Sequence, residues 1–364
     1  MPKKAIMKAN NKTAIFLGVL IIANLAAAYF WLGLETPQRD ALNYYDAMKF
    51  LLGQKAQGEL EGLATARILT SPLMLHISIF FSFFTKNLYS GIMIANIIFY
   101  SLVVCAFYFL AYEIYERKKV ALFGTILMAA NYYLINPVNA YLVDMSGWFF
   151  MIIASYFAIK YFKNKINKYY YLAILFSVIG MFFKEYGGLG ILTLFALILL
   201  SDLSQKEKIK KIFAGGLMFA VLPLAYHIFF YLKFHFSYFW AYGFAYHQYN
   251  FVTPNHSFTL LVKVLGWLFS LGWFLFFYGI WREYRDFDKI RFKILISLLP
   301  PALAFLLWPG FVQRVSFILV PLLALVAGRG LADMNKYLAV LLVAAYIIFN
   351  YNITSLLDII NVPF

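Results

Sequence analysis

Asp144, Lys184, Glu185 and Arg314 each sit between apolar runs with little loop around them, in Y-L-V-D-M-S-G-W, M-F-F-K-E-Y-G-G and P-G-F-V-Q-R-V-S-F. A fifth candidate, Asp40, lies in the stretch 35–72 with Arg39, Asp46, Lys49 and Arg67, directly after the first apolar run. Ionisable groups within or at the ends of membrane spans are costly, and the default reading of them is functional. Two carboxylates and two cations converging at one membrane face suit the transfer of a group away from a lipid-linked phosphate. A base takes the acceptor's proton, and positive charge stabilises the departing phosphate. Arginine matches phosphate oxygens bidentately, whereas lysine acts as a point charge. The lipid tail stays in the bilayer, so the bond must be cut at the interface.

The elements that position such a site follow from composition. The chain has 364 residues, 63% of them hydrophobic and 13% charged, too little polar surface to cover a water-soluble fold. An all-α, polytopic membrane bundle is expected, with about 11 transmembrane helices near residues 14–34, 88–112, 119–136, 144–161, 169–183, 186–202, 212–232, 257–281, 292–308, 312–330 and 337–356. The first run follows Lys3, Lys4, Lys8 and Lys12, is too long for a cleaved leader and reads as a signal anchor. Residues 1–364 read as one transmembrane domain, with 35–87 as an outer reaction loop carrying juxtamembrane helices and no C-terminal soluble domain. The net charge of +15 would point to nucleic acid in a soluble protein. Here it lies in short loops and reports topology, so no nucleic-acid partner is expected. Cys105 is the sole cysteine, which excludes an intrachain disulfide.

With the N-terminus inside and the spans alternating, the inner segments hold 22 of the 31 lysines and arginines, as the positive-inside rule requires. The stretch 35–72 then faces outward, giving a multi-pass cell-membrane protein with a cytoplasmic N-terminus and an extracytoplasmic active site. The run 73–84 is short for a span, and counting it would reverse every later loop. It reads as a helix lying on, or re-entering, the outer surface. Leu42, Tyr45, Met48 and Leu52 recur at helical spacing and predict a surface helix over 41–52.

Each candidate also has a plainer reading. Asp40 and Asp144 would serve as helix N-caps, Asp46 as a solvated polar-face residue, Lys184-Glu185 as a boundary pair and Arg314 as a snorkelling side chain. Tyr44, Tyr45, Trp240, Tyr242 and Tyr246 suit an interfacial belt. His227, His235, His247 and His256 lack zinc spacing, which leaves His247 as a reserve acid or base. Asp40, Asp46 and Asp144 supply carboxylates of the kind that hold Mg2+ or Mn2+, although no spacing demands a metal.

Several pieces carry a family resemblance: D-A-L-N-Y-Y-D-A-M-K-F-L-L-G after the first span, R-I-L-T-S-P-L before a short helix, Y-L-V-D-M-S-G-W-F-F, K-E-Y-G-G-L-G, and late in the chain Q-R-V-S-F-I-L-V-P-L-L-A-L-V-A-G-R-G-L. Together, in this order, they resemble the GT-C superfamily of integral membrane glycosyltransferases, in the polyprenyl-phosphate-sugar branch that includes protein mannosyltransferases and aminoarabinose transferases. The resemblance implies an inverting hexosyl- or pentosyltransferase that takes a lipid-linked sugar as donor and a glycan, lipid or protein as acceptor. It implies Asp40 as base or acceptor-positioning group and Asp144 as a second outer acid that orients the site or helps hold a divalent cation. Lys184 and Arg314 would sit at the donor phosphate. Outside the resemblance, Arg39 is a further candidate for the donor phosphate, and Asp46, Glu185, Tyr44 and His247 are candidates for the acceptor side or for a metal. The adjacent Asp-Glu pair of the mannosyltransferases is absent, Ala41 following Asp40, and Thr70-Ser71-Pro72 stands where the aminoarabinose branch has Lys-Pro-Pro. The W-W-D-Y-G signature of the oligosaccharyltransferases is absent as well. The competing class is a polytopic transporter or lipid-linked-sugar flippase, which would need midplane sites and internal repeats. A polymerase or ligase of surface polysaccharides is a third reading.

Overall fold

The computed structural model describes residues 11–34, 36–37, 39–60, 62–240, 242–243, 258–308 and 313–352. Among them every regular element is helical. In chain order these are α1 (Asn11–Leu32), α2 (Arg39–Leu51), α3 (Gly62–Thr70), α4 (Pro72–Thr85), α5 (Leu88–Tyr115), α6 (Lys118–Ala129), α7 (Tyr132–Asn139), α8 (Asp144–Asn164), α9 (Asn167–Phe183) and α10 (Glu185–Leu199). They are followed by α11 (Gln205–Phe234), α12 (Phe258–Phe269), α13 (Gly272–Arg285), α14 (Lys289–Leu307), α15 (Arg314–Ala332) and α16 (Lys336–Tyr351).

Within the described residues each of the eleven expected spans falls mostly on helix, but the number eleven is not confirmed. Six helices among the described residues are long and apolar enough to cross a membrane, or up to nine if each bent pair is one span. The bent pairs are α3–α4 at 95°, α6–α7 at 47° and α12–α13 at 84°. α9, α10 and α16 are apolar but shorter.

The bends have local causes. Ser71, at φ −142° and ψ 40°, leaves the helical region ahead of Pro72, which opens α4, because proline disfavours the helical region for the residue before it and suits a first helical position. The run 73–84 therefore enters as the second arm of a right-angled pair, with Phe80, Phe83 and Phe84 exposed. At the α6–α7 break, Asn131 donates to the Leu268 carbonyl at 2.9 Å and to the Tyr346 hydroxyl at 3.0 Å, while Asn350 accepts from the Tyr132 N–H at 3.1 Å. Groups freed inside an apolar bundle need such partners.

The surface helix expected over 41–52 is present as α2, with a different face turned inward. Ala41, Tyr44, Ala47 and Met48 are buried, and Leu42 is exposed. Two polar side chains at i and i+4, Asp40 and Tyr44, orient the helix towards partners on other elements.

The turns expected on the inner side gather at one end. Lys163 pairs with Glu116 at 2.6 Å, and Lys293 with Asp202 at 3.1 Å. Arg117, Arg282 and Arg329 converge on Asp333 at 2.7, 2.9 and 2.6 Å. Arg329 also reaches Asp286 at 2.6 Å. It belongs to buried α15 and ties α13 and the 333–335 turn together, instead of occupying a loop as the charge count assumed.

Candidate active site

The other end of the same helices carries the candidate residues. α8 starts at Asp144 and ends at Asn164, 21 residues or about 30 Å, so this pole and the ion-paired pole are about one hydrocarbon thickness apart. One turn inward from Asp144, the ring of Trp148 meets Phe317 at 4.2 Å between centroids. That contact clamps α8 to α15 directly behind Asp144 and Arg314.

Asp40, in the first turn of α2, is held from two sides. Arg67 of α3 donates to one carboxylate oxygen at 2.8 Å, and Arg314 of α15 donates to the other. A second nitrogen of Arg314 lies 4.0 Å from Asp144. Burial would raise the Asp40 carboxyl, but Arg314 and Arg67, with Lys184 further off, outweigh it and hold it well below the usual carboxylate range. Neither aspartate has its carboxylate spent on a cap. Asp40 is engaged by the two guanidinium groups, while Val143 occupies the cap position of α8 and Asp144 is its first helical residue, 2% exposed, with Oδ2 lacking a hydrogen-bond partner.

Lys184 is the extended residue at which α9 stops and α10 begins. Its N–H donates to the Gly180 carbonyl at 2.9 Å and its own carbonyl accepts from Gly187 at 2.7 Å. The break turns the side chain inward, where it is 4% exposed. Its ammonium donates to the Tyr44 hydroxyl at 3.2 Å and lies 3.4 Å from Glu185. Gly147 of α8 makes room for it, since a Cβ there would stand 2.8 Å from both Lys184 Cβ and Tyr186 Cδ2.

Tyr44 is buried between cations, with Arg67 5.0 Å and Lys184 5.8 Å from its ring centroid, and is not a belt residue. Asp46 stands apart, bonded to Lys55 at 2.8 Å. Tyr45 stacks on Tyr89 with centroids 4.7 Å apart. Arg39 heads α2, but its side chain is outside the described residues, as is His247 altogether. Arg67 is the residue that sequence reasoning left out of the site, although it stands among the charges of 35–72.

Asp40, Asp46 and Asp144 do not form a metal-holding set, and no group of three His, Cys, Asp or Glu side chains among the described residues is spaced to do so. Three cations, Arg67, Arg314 and Lys184, face three acids, Asp40, Asp144 and Glu185, so an anion can enter only by exchange with carboxylates. A phosphate entering here would replace carboxylates on Arg67 and Arg314.

Residues 71–230, less than half of the chain, match the dolichyl-phosphate-mannose-protein mannosyltransferase family. No curated protein matches the chain by sequence. The crystal structure of ArnT from Cupriavidus metallidurans bound to undecaprenyl phosphate is similar with a TM-score of 0.67 and 13% identity, over 90% of this chain and 61% of that one. The Archaeoglobus fulgidus oligosaccharyltransferase, in complex with Zn and sulfate, is similar with a TM-score of 0.56 and 12% identity, over 92% of this chain and 52% of that one. The chain thus spans about three fifths and about half of their lengths. At such identities the likeness is one of fold. The resemblance read from the sequence is shown at that level: the chain has the fold of the GT-C membrane glycosyltransferases, and its residues 71–230 match their protein mannosyltransferase family.

Proposed function

We propose that the chain moves a sugar from a polyprenyl-phosphate-linked donor to an acceptor at the extracytoplasmic face, with inversion at the anomeric carbon. The observation that carries this reading is the meeting of Asp40, Arg67, Arg314, Asp144 and Lys184 at one end of the bundle. The ArnT structure holds undecaprenyl phosphate, and this chain shares its fold, which supports a donor of that class.

Asp40 accepts the proton of the acceptor hydroxyl as its oxygen attacks the anomeric carbon. The bond from that carbon to the phosphate oxygen breaks, and the phosphate leaves with the electron pair. A single displacement of this kind inverts the centre. Arg314, Arg67 and Lys184 meet the charge that develops on the leaving group. Asp144 steadies Arg314, and Glu185 steadies Lys184.

A carboxylate held by two arginines is a weak base, since a good one titrates near the working pH. The donor phosphate relieves this by drawing both guanidinium groups to itself. Asp40 is therefore competent only with donor bound.

The test uses the full chain in proteoliposomes supplied with a labelled polyprenyl-phosphate sugar and a membrane acceptor fraction. Asp40→Asn should lower transfer by about 10²–10⁴-fold while the thermal unfolding midpoint at neutral pH shows a folded protein. Unchanged turnover would remove the mechanism. Counterflow of labelled polyprenyl phosphate without any transfer would favour the flippase reading.

A further inference from the structure

The ion-paired pole contains a cavity that the proposed reaction does not use. α9 and α11 touch where Tyr170 donates to the Lys211 carbonyl at 2.6 Å. Gly215 permits that closeness, since a Cβ there would stand 2.8 Å from the Tyr170 oxygen. Beside this pinch the helices border an open cavity of about 320 Å³, lined by Asn167, Tyr170, Tyr171, Lys210, Lys211 and Met218 among others.

Its two ends differ in chemistry. At one, the Lys211 ammonium rests over the rings of Tyr161 and Tyr170 at 5.4 and 5.3 Å. Neither Lys210 nor Lys211 has an ion pair among the described residues. Glu207 also borders the space, but its carboxylate accepts from the Ser204 N–H and hydroxyl at 3.1 and 2.9 Å in the cap of α11. Glu207 keeps its charge within Coulombic reach of Lys211, so with Lys210 the lining carries one net positive charge. At the other end Met218 and Ala214 continue along α11, a helix with only 6% of its apolar stretch buried and with Phe213, Leu217 and Val221 exposed. The cavity therefore opens sideways onto hydrocarbon.

A basic head joined to an apolar flank that opens onto the lipid phase matches one kind of ligand. Soluble anions would gain nothing from Met218, and a zwitterionic lipid, neutral overall, would leave the net positive charge of the lining unmatched. We propose that this cavity binds an anionic phospholipid, its phosphate at Lys210 and Lys211 and an acyl chain beside Met218. Lipid bound there bridges α9, whose last residue adjoins Lys184, to the sparsely packed α11.

The test uses the full chain, delipidated in neutral detergent and titrated with phosphatidylglycerol, phosphatidylcholine or inorganic phosphate. Adducts are read by native mass spectrometry and unfolding midpoints by thermal shift. Phosphatidylglycerol should be retained and raise the midpoint, while the other two should not. Lys210→Ala combined with Lys211→Ala should weaken retention by on the order of tenfold, and Lys184→Ala should leave it unchanged, which separates this cavity from the donor site. Because Lys211 packs on two rings, Ala214→Phe provides a second variant that fills the apolar arm without altering charge, with the same loss expected. Equal retention of phosphatidylglycerol by wild type and both cavity variants overturns the proposal. So does equal retention of phosphatidylcholine, or an inorganic phosphate effect to which the lipid adds nothing.

Discussion

Asp40 responds to pH through the two guanidinium groups that hold it. Its native value lies below the ~3.9 of an unfolded aspartate, so its contribution to stability is complete above that value. It is lost as pH falls through the native value. The unfolding midpoint of wild type relative to Asp40→Asn, followed by thermal scans in detergent, should therefore fall as pH is lowered from about 6 to about 3. A gap that stays constant would mean that the ion pairs do not form in solution. The positions of Asp40, Asp144, Lys184 and Arg314 at the ends of apolar runs were legible in the sequence, because a charge has few places to go in so greasy a chain. Arg67 was not, because its partner lies 27 residues away on a different helix. Asp46 misled for the opposite reason: its acidity suggested the site, while Lys55 within the same loop takes it.

At the scale of the element, the break between α9 and α10 and the glycine opposite it form one device. Gly147 lets α8 approach the extended Lys184, and any larger residue pushes the break away from the bundle. Gly147→Val should cost about 1–3 kcal/mol, the usual range for overpacking. It should also raise the donor KM by displacing the ammonium. Thermal unfolding and donor titration check the two effects, and a variant that loses stability with KM unchanged would show that Lys184 does not meet the donor. The helical period of α2 was readable from the sequence, yet its inward face was not. The apolar stripe at Leu42, Tyr45, Met48 and Leu52 competes with Asp40 and Tyr44, and ion pairing to other elements prevailed. The right angle at Ser71–Pro72 was half-legible: proline marks a boundary, but the angle depends on what the second arm packs against.

Over the whole molecule, charge is sorted to two poles. One uses its ions to tie helices together, and Asp333, with three arginines on it, is the centre of that knot. Asp333→Ala should destabilise the bundle by an amount towards the lower end of about 3–5 kcal/mol, since Arg117 and Asp286 reach solvent. Donor KM should stay within about twofold, because additivity holds for distant sites. A large KM change would mean that the poles are coupled. The orientation is open to direct labelling. In a Cys105→Ser background, Lys86→Cys should react with an impermeant maleimide from outside intact cells, and Lys118→Cys only after lysis; the reverse pattern would put the candidate site in the cytoplasm. The positive-inside count already grouped the turns that the fold brings together, because loop charge is a property of sequence alone. It took Arg329 for a loop residue, because a run ending in G-R-G-L looks like a helix end until Asp286, Asp333 and Glu283 are seen around it.

α8, with Asp144 at one tip and its last turn beside the knot, works as a ruler. Its length matches an average bilayer core, so both poles reach headgroups only where the lipid is of that thickness. In thinner or thicker bilayers one pole is drawn towards acyl chains or the bundle tilts. Catalysis at the far tip would then depend on acyl chain length.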